Sequence, residues 1–341
     1  MQNIILTGFG FMGTMHAQVY SQLKNARVAA VVDNNLAVTV RTMRKLGVNA
    51  PLFATLDEAL ATVPAQVVDI CLPTDLHRKT ALRAIKSGKH IFCEKPVALR
   101  SGDADKITLA AEAAGVCGQV GHCIRFWPEY QAFHAFVRGG KAGALLSFTL
   151  QRRSMIPTHS VGDWLLDPSR SGGAALDLHI HDTDFIVALL GFPRSVAARA
   201  TKDDHGLSHI FTAYDYPGIS VTAEGGWNYP PKWGFQMAFQ AVFENGAVEY
   251  DSGASPTLSL TMGRGPKKPL PFAQPSAGSS ATGAGNISSL GGYFNELQYF
   301  IGCLERGAAP QEATLSQATG SLRVTLAEIA SARAGGKPMQ L

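Results

Sequence analysis

The 341-residue sequence predicts an α/β protein: an N-terminal doubly wound parallel sheet, then a C-terminal α+β unit with a mainly antiparallel open sheet. Three observations carry this expectation. Up to about residue 120, short apolar runs alternate with helical patterns. A glycine-rich turn joins the first apolar run to the first helical pattern. Beyond Pro128 the alternation gives way to closely spaced runs joined by short turns, which suit antiparallel neighbours better than crossovers.

Taken in order, residues 2–7 read as a strand that enters Gly8-Phe9-Gly10-Phe11-Met12-Gly13, and Met15, Val19 and Leu23 mark the following helix. Residues 26–32 form a second strand ending at Asp33, followed by a helical stretch to Leu46 that Gly47 stops. Thr55-Leu56-Asp57-Glu58 has capping-box spacing, and the unbroken apolar run 67–72 suits a strand covered on both faces. A helix from about 75 to 87, a strand 90–93, a helix 102–114 and a strand 116–120 complete a unit for which six strands are expected. After Pro128 come a helix to about Arg138, a strand near 145–152, and a Gly-, Pro- and Ser-rich loop. A single helix is expected from about Ala174 to Leu190, then strands near 195–201, 208–216, 220–228, 235–243 and 247–250. Residues 264–292 are rich in Gly, Ser and Pro, with no acid and with Arg264, Lys267 and Lys268. Surface insertion, active-site lid and subunit arm all remain open for that stretch. Two helices, near 293–306 and 315–334, end the chain. The expected division is 1–122 and 123–341, with the last helices packing back on the first unit.

Composition narrows the partners. Thirty cations against 26 acids leave a net charge of +4, too little field to select nucleic acid or an anionic membrane. No run approaches the roughly 18 apolar residues of a spanning helix. The first basic residue is Lys24, so no secretory signal is read and a cytoplasmic protein is expected. Cys71, Cys93, Cys117, Cys123 and Cys303 lack Cys-x-x-Cys spacing and read as free thiols.

Gly8, Gly10 and Gly13 fit G-x-G-x-x-G between a strand and a helix, and Asp33 follows twenty residues after Gly13 at a strand end. The helix start offers N–H groups and a positive dipole to a diphosphate, and the Asp33 carboxylate can accept from ribose hydroxyls. This is the dinucleotide-binding Rossmann pattern. Asn34 and Asn35 follow Asp33, and the nearest cations, Arg41 and Arg44, stand well into the next helix, so NAD is expected over NADP.

At Cys93-Glu94-Lys95-Pro96, after Val68-Asp69-Ile70-Cys71-Leu72-Pro73-Thr74-Asp75-Leu76-His77, the chain resembles the glucose–fructose oxidoreductase and inositol dehydrogenase family (Gfo/Idh/MocA). The resemblance extends through Gly121-His122-Cys123-Ile124-Arg125-Phe126-Trp127-Pro128 and Gly172-Gly173-Ala174-Ala175-Leu176-Asp177-Leu178-His179-Ile180-His181-Asp182. It implies that Lys95, Asp177 and His181 surround the reacting carbon. It also implies cofactor contacts from Phe9, Phe11, Met12, Asn34, Leu72, Pro73, Thr74, His77 and Glu94, and a return of Tyr293 and Glu296 towards the cofactor. Two positions depart from the family pattern: Pro73-Thr74-Asp75 stands where Thr-Pro-Asn is commoner, and His179 where a small or apolar residue is usual.

The residue types suit alcohol oxidation, which needs a base near neutrality and a group that steadies charge on oxygen. On one helix, Asp177 and His181 would share a face. His122, Arg125, Arg153, His159, Asp163 and Trp164 are further polar candidates for the substrate pocket. No metal site is expected, because His179 and His181 would diverge by about 200° on a helix; His179 is read as structural or at a subunit contact. The expected protein is thus an NAD-dependent dehydrogenase of a polyol, cyclitol or sugar, a homodimer or homotetramer. The rivals are an NAD-assisted glycosidase, an NADP-linked carbonyl reductase and a non-catalytic nicotinamide-sensing regulator.

Overall fold

Six parallel strands form the first sheet: β1 (Gln2–Thr7), β2 (Ala26–Val32), β3 (Leu52–Phe53), β4 (Val67–Ile70), β5 (His90–Cys93) and β6 (Gly118–Val120). The computed structural model describes residues 1–158, 160–273 and 291–341. Across this sheet the strands lie in the order β3-β2-β1-β4-β5-β6, so the direction of winding reverses between β1 and β4. At such a reversal the helices that follow neighbouring strands leave towards opposite faces and open a crevice at the carboxyl edge. The helices are α1 (Phe11–Gln22), α2 (Leu36–Leu46), α3 (Leu56–Thr62), α4 (Thr74–Lys86) and α5 (Ser101–Ala114). Ile4, Ile5 and Leu6 of β1 and all of β4 are buried, as continuous apolar runs covered on both faces should be. Thr55 accepts from the Glu58 amide while Glu58 reaches back to Thr55, closing the expected capping box of α3. The sixth strand, whose place had no sequence signal, is the two-residue edge β3, too short to show a period.

The second half opens with α6 (Pro128–Arg138), β7 (Leu145–Met155), the short α7 (Pro168–Ser171), α8 (Ala174–Asp177) and α9 (Ile180–Leu190). A nine-stranded sheet then completes with β8 (Ser195–Asp203), β9 (Gly206–Tyr216), β10 (Ile219–Tyr229), β11 (Phe235–Phe243), β12 (Gly246–Asp251), β13 (Leu258–Met262), β14 (Lys268–Pro269) and β15 (Met339–Gln340). Between β14 and β15 lie α10 (Gly291–Glu305) and α11 (Leu315–Arg333). The order is β14-β13-β12-β11-β7-β10-β9-β8-β15. Every pair is antiparallel except β7 with β10, which is parallel because the chain leaves β7 through α7 to α9 before it returns. Within 264–292, only 264–273 and 291–292 are described, so the choice among insertion, lid and arm falls largely outside the described residues.

One face of this sheet is covered by α6 and α9. Phe133 of α6 meets Phe239 at 4.6 Å between ring centroids, and Tyr130 meets Phe185 of α9 at 4.8 Å. Fully burying each such side chain contributes roughly 1.5–3 kcal/mol. The cluster fixes α9 against β7 and β11.

The single helix expected over 174–190 is two. The amides of both Leu178 and His179 bond the Ala174 carbonyl, and the helix resumes at Ile180. At the break the His179 ring is drawn into the interior, where Nε2 lies 2.8 Å from Glu328 of α11. Asp177 and His181 therefore do not share one continuous helix. On β7 adjacent residues face opposite sides. Arg152 points inward and holds Asp182 of α9 through two hydrogen bonds, 2.9 and 2.8 Å, with both side chains buried. Removing one member would strand the other charge. We expect Arg152→Ala to lower unfolding free energy by about 3–5 kcal/mol, read from denaturant melts; a loss below 1 kcal/mol would show that water reaches Asp182.

Candidate active site

The glycine turn is dictated by close approach. Gly8 has φ +81°, and a Cβ there would lie 2.4 Å from the Cys71 carbonyl oxygen. A Cβ on Gly13 would lie 2.0 Å from the Gly8 carbonyl oxygen, so α1 packs directly on the turn. Gly10 is different. Among the described residues a Cβ at Gly10 meets nothing within 4 Å, which leaves an open cradle at the start of α1. Gly10 brings no side-chain cap and the first turn holds no acid, so the amide end favours an anion. Asp33, at the end of β2, accepts from the Phe9 amide through Oδ2 and from the Asn35 amide through Oδ1, both at 2.8 Å. Each oxygen keeps a lone pair for a ribose hydroxyl. These residues fit a dinucleotide.

The turns after β4 and β5 stand beside this cradle. Leu72 and Pro73 lead into α4, and the buried Thr74 hydroxyl has no hydrogen-bond partner among the described residues. His77 is used up as a tie: its ring nitrogens lie 2.7 Å from the Leu72 carbonyl and 2.8 Å from the Pro96 carbonyl. The Glu94 carboxylate accepts from the Lys95 amide at 3.1 Å.

Lys95 joins the two sheets. Its Nζ donates to the Asp177 carbonyl at 2.8 Å and to Asp177 Oδ1 at 3.0 Å, at the end of α8. His181 lies in the same electrostatic neighbourhood. Burial pushes its pKa down, and Lys95, Arg152 and His122 push it further, so the imidazole is held well below its ordinary value. Its Nδ1 is buried without a hydrogen-bond partner among the described residues. His122 is also neutral at neutral pH: burial lowers it to about 4, against the opposing pull of Asp184. Both His122 ring nitrogens are buried without a hydrogen bond among the described residues, Nδ1 standing 3.5 Å from Asp184 Oδ2. A neutral imidazole, a carboxylate-seated ammonium and orphaned polar atoms together can take a proton and bind hydroxyl groups.

The remaining candidates divide. Arg153 points to the other face of the sheet, where it donates to Gln151 and Gln236 and lines a cavity of about 410 Å³. It does not join His181; strand alternation carries it away, and Arg152 is the guanidinium on the active side. Arg125 is spent on Asp184, at 2.8 and 2.7 Å. Trp164 is half-buried and Asp163 exposed in the 3₁₀ turn Val161–Leu166, with no hydrogen bond or ring contact to Lys95 or His181 among the described residues. His159 lies outside the described residues. His179 is buried against Glu328, away from solvent. Tyr293 and Glu296 of α10 are buried against the first unit, Tyr293 with its ring 6.5 Å from that of His16. The sequence reading missed Arg152, Asp182 and His16. Strand alternation at Arg152 and the turn of helix after Gly13 were the available signals.

Residues 2–122 match the model of an oxidoreductase family with an NAD-binding Rossmann fold, GFO_IDH_MocA, and residues 130–249 match the GFO/IDH/MocA C-terminal domain. Inositol 2-dehydrogenase of Rhizobium meliloti is 28% identical over 314 residues, 89% of this chain and 88% of that protein. Inositol 2-dehydrogenase 1 of Paenarthrobacter aurescens is 31% identical over 264 residues, 74% of each chain. An oxidoreductase of Agrobacterium radiobacter, crystallised with NAD+, L-tartaric acid and magnesium, has a TM-score of 0.86 at 18% identity, over 99% of this chain and 98% of that one. That likeness is one of fold. Among the described residues, no helix is long and apolar enough to cross a membrane.

The glycines separate binding from folding. Gly10→Ala should leave the melting temperature unchanged and weaken NADH binding at least about tenfold, since its Cβ fills space reserved for the diphosphate. Gly13→Ala should lower the melting temperature itself. Calorimetric titration and thermal melts check both; unchanged NADH affinity in Gly10→Ala would move the cofactor elsewhere.

Proposed function

The chain belongs to the Gfo/Idh/MocA oxidoreductase family, and from that premise we propose that it oxidises a secondary hydroxyl of a polyol, cyclitol or sugar. The observation that carries the reading is the seat of Lys95 on Asp177 beside an unprotonated His181, next to the glycine turn. The inositol dehydrogenases among the relatives support a cyclitol or a sugar of similar hydroxyl pattern.

In this reading Gly8 to Gly13 and Asp33 hold the diphosphate and ribose, while the turns at Leu72 to Thr74 and Glu94 border the nicotinamide end. NAD, when bound, supplies the hydride acceptor. His181 receives the hydroxyl proton, for which its neutral state is required. The Lys95 ammonium positions the same oxygen and opposes the negative charge that develops on it. Asp177 keeps that ammonium in place, and Nε2 of His122, without a hydrogen bond among the described residues, offers a contact to a neighbouring hydroxyl. The reading divides the chain at 122 and 123. It also includes assembly as a dimer or tetramer through the outer face of the nine-stranded sheet, where Leu146, Phe211 and Val242 are exposed.

Two measurements test it. With NAD and a panel of inositols, sugar alcohols and aldoses, NADH should accumulate with at least one substrate. His181→Ala should then turn over about 10²- to 10⁴-fold more slowly, at nearly unchanged NADH affinity. Sugar release without net NADH, or undiminished turnover in the variant, would sink the assignment. The pH profile follows from the environment of His181. Protonation removes the base, and its pKa lies well below the ordinary 6.5, so the acidic limb of kcat/KM should fall well below pH 6.5. Lys95 is one of the groups that lower it, so in Lys95→Met the His181 ring should titrate at higher pH by NMR; an unmoved titration would separate the two side chains.

A further inference from the structure

One buried group is untouched by the chemistry above. His16 lies on α1, three residues past Gly13, and is wholly enclosed. Its Nδ1 is 2.8 Å from Asp69 Oδ2 of β4, in hydrogen-bond geometry. Its Nε2 stands 3.1 Å from Glu94 Oε1, an ion-pair distance without a hydrogen bond's angle. A neutral imidazole has one N–H and one lone pair. With a carboxylate at each nitrogen, a lone pair on either side would face negative oxygen. With both carboxylates ionised, the arrangement calls for a proton on each nitrogen.

The polar groups around the ring favour that cation against the cost of burial. Tyr20 of α1 donates to Asp69 Oδ2 at 2.9 Å, and the Cys71 thiol reaches Asp69 Oδ1 at 3.5 Å, so Asp69 is oriented towards the ring. From β5, Phe92 presents its ring edge-on at 5.4 Å, and Glu94 supplies the second carboxylate. From α10, Tyr293 closes the pocket, and burial pushes the Glu296 carboxyl well up, with Glu94 adding to the shift, which weakens any charge it brings to the pocket. Burial alone would lower the pKa of His16, but Asp69 and then Cys71, whose sulfur stands 3.2 Å from Nδ1, together hold the ring well above its usual value. Burial would raise Glu94, but His16 and then Lys95 hold it below.

We propose that His16 is a positioning residue for Lys95: an imidazolium held between Asp69 and Glu94 that ties the helix leaving the glycine turn to the Glu94-Lys95 turn. The link is short and complete. Gly13 seats α1 on the turn, His16 reaches Glu94, and the other oxygen of Glu94 accepts the Lys95 amide. The proposal rests on the catalytic reading of Lys95. His16, Asp69 and Cys71 also have metal-ligand types within reach of one another. Their donor atoms are engaged with each other by hydrogen bonds, which favours a proton over a metal ion as the charge in their midst.

The experiment uses the full chain with two variants. A glutamine amide sits near the place of imidazole Nε2 and an asparagine amide near that of Nδ1, so His16→Gln keeps a donor towards Glu94 and His16→Asn does not. His16→Asn should lose about 10- to 100-fold in kcat, the scale of a catalytic group shifted by about an ångström. His16→Gln should stay within about threefold of the parent, with KM for NAD and melting temperature alike in the two variants. The Lys95 backbone amide should shift in NMR spectra of His16→Asn and hold in His16→Gln, a readout independent of any substrate. In the parent, both ring nitrogens of 15N-labelled His16 should remain protonated at pH about 8, well above the free imidazole value. Equal losses in both variants that follow melting temperature, a deprotonated ring nitrogen, or stoichiometric metal in the purified protein would each overturn the proposal. A parent inactive on every polyol would instead overturn the catalytic reading, leaving the Lys95 amide and His16 nitrogens to judge the link.

Discussion

The contact between the Lys95 ammonium and the two Asp177 oxygens is the constraint on which the rest of the site depends. It joins a turn at the carboxyl edge of the parallel sheet to the end of a four-residue helix built on the other sheet. An ammonium mostly withdrawn from water must find carboxylate or carbonyl oxygen, and the short α8 presents both from one residue. The carbonyl is available at a helix end, where the last carbonyls lack partners within the helix. A continuous helix through Asp177 would direct that carbonyl along its own axis. The break at Leu178 and His179 is thus part of how the lysine is held.

The same segment carries three acids within eight residues, and each is met by a cation from a different element. Lys95 comes from the turn after β5, Arg152 from β7, and Arg125 from the 3₁₀ turn Cys123–Phe126. A fourth buried pair, His179 with Glu328, fixes the break from below. Pairs of this kind need not add net stability over a well-packed apolar core. They do define direction. Each bidentate guanidinium admits one placement of its carboxylate, so the face of α9 that bears His181 is set by Arg152 and Arg125 together. The charges that orient the helix also tune its histidine, since Lys95 and Arg152 add to burial in holding its pKa down.

Much of the architecture was legible because it rests on period and punctuation. The parallel unit followed from apolar runs between glycine stops, and the glycine turn from its spacing together with its place between a strand and a helix and Asp33 at the end of the next strand. The parallel pairing of β7 with β10 had no such signal, because pairing direction depends on where the chain returns. The broken helix over 174–190 also escaped, since each residue there is compatible with a helix and the cause lies in Lys95 and Glu328, far along the chain. Arg153 was favoured over Arg152 although the pattern around them alternates; either parity was possible until Asp182 was seen on the inner side. His16 was invisible for another reason: a histidine on a buried helix face is ordinary unless two carboxylates are known to meet it.

The last helices have a consequence for how the protein is made. Leu297, Phe300 and Ile301 of α10 share one apolar cluster with Ile4, Val19 and Tyr20 of the first unit, and Phe300 packs against Phe92 of β5. Synthesis runs from the amino end. The nucleotide-binding half therefore leaves the ribosome with one flank bare to water, and that flank stays uncovered until residues 291–341 have emerged. Early termination anywhere upstream would release a sticky half-molecule, a natural target for chaperones and proteases.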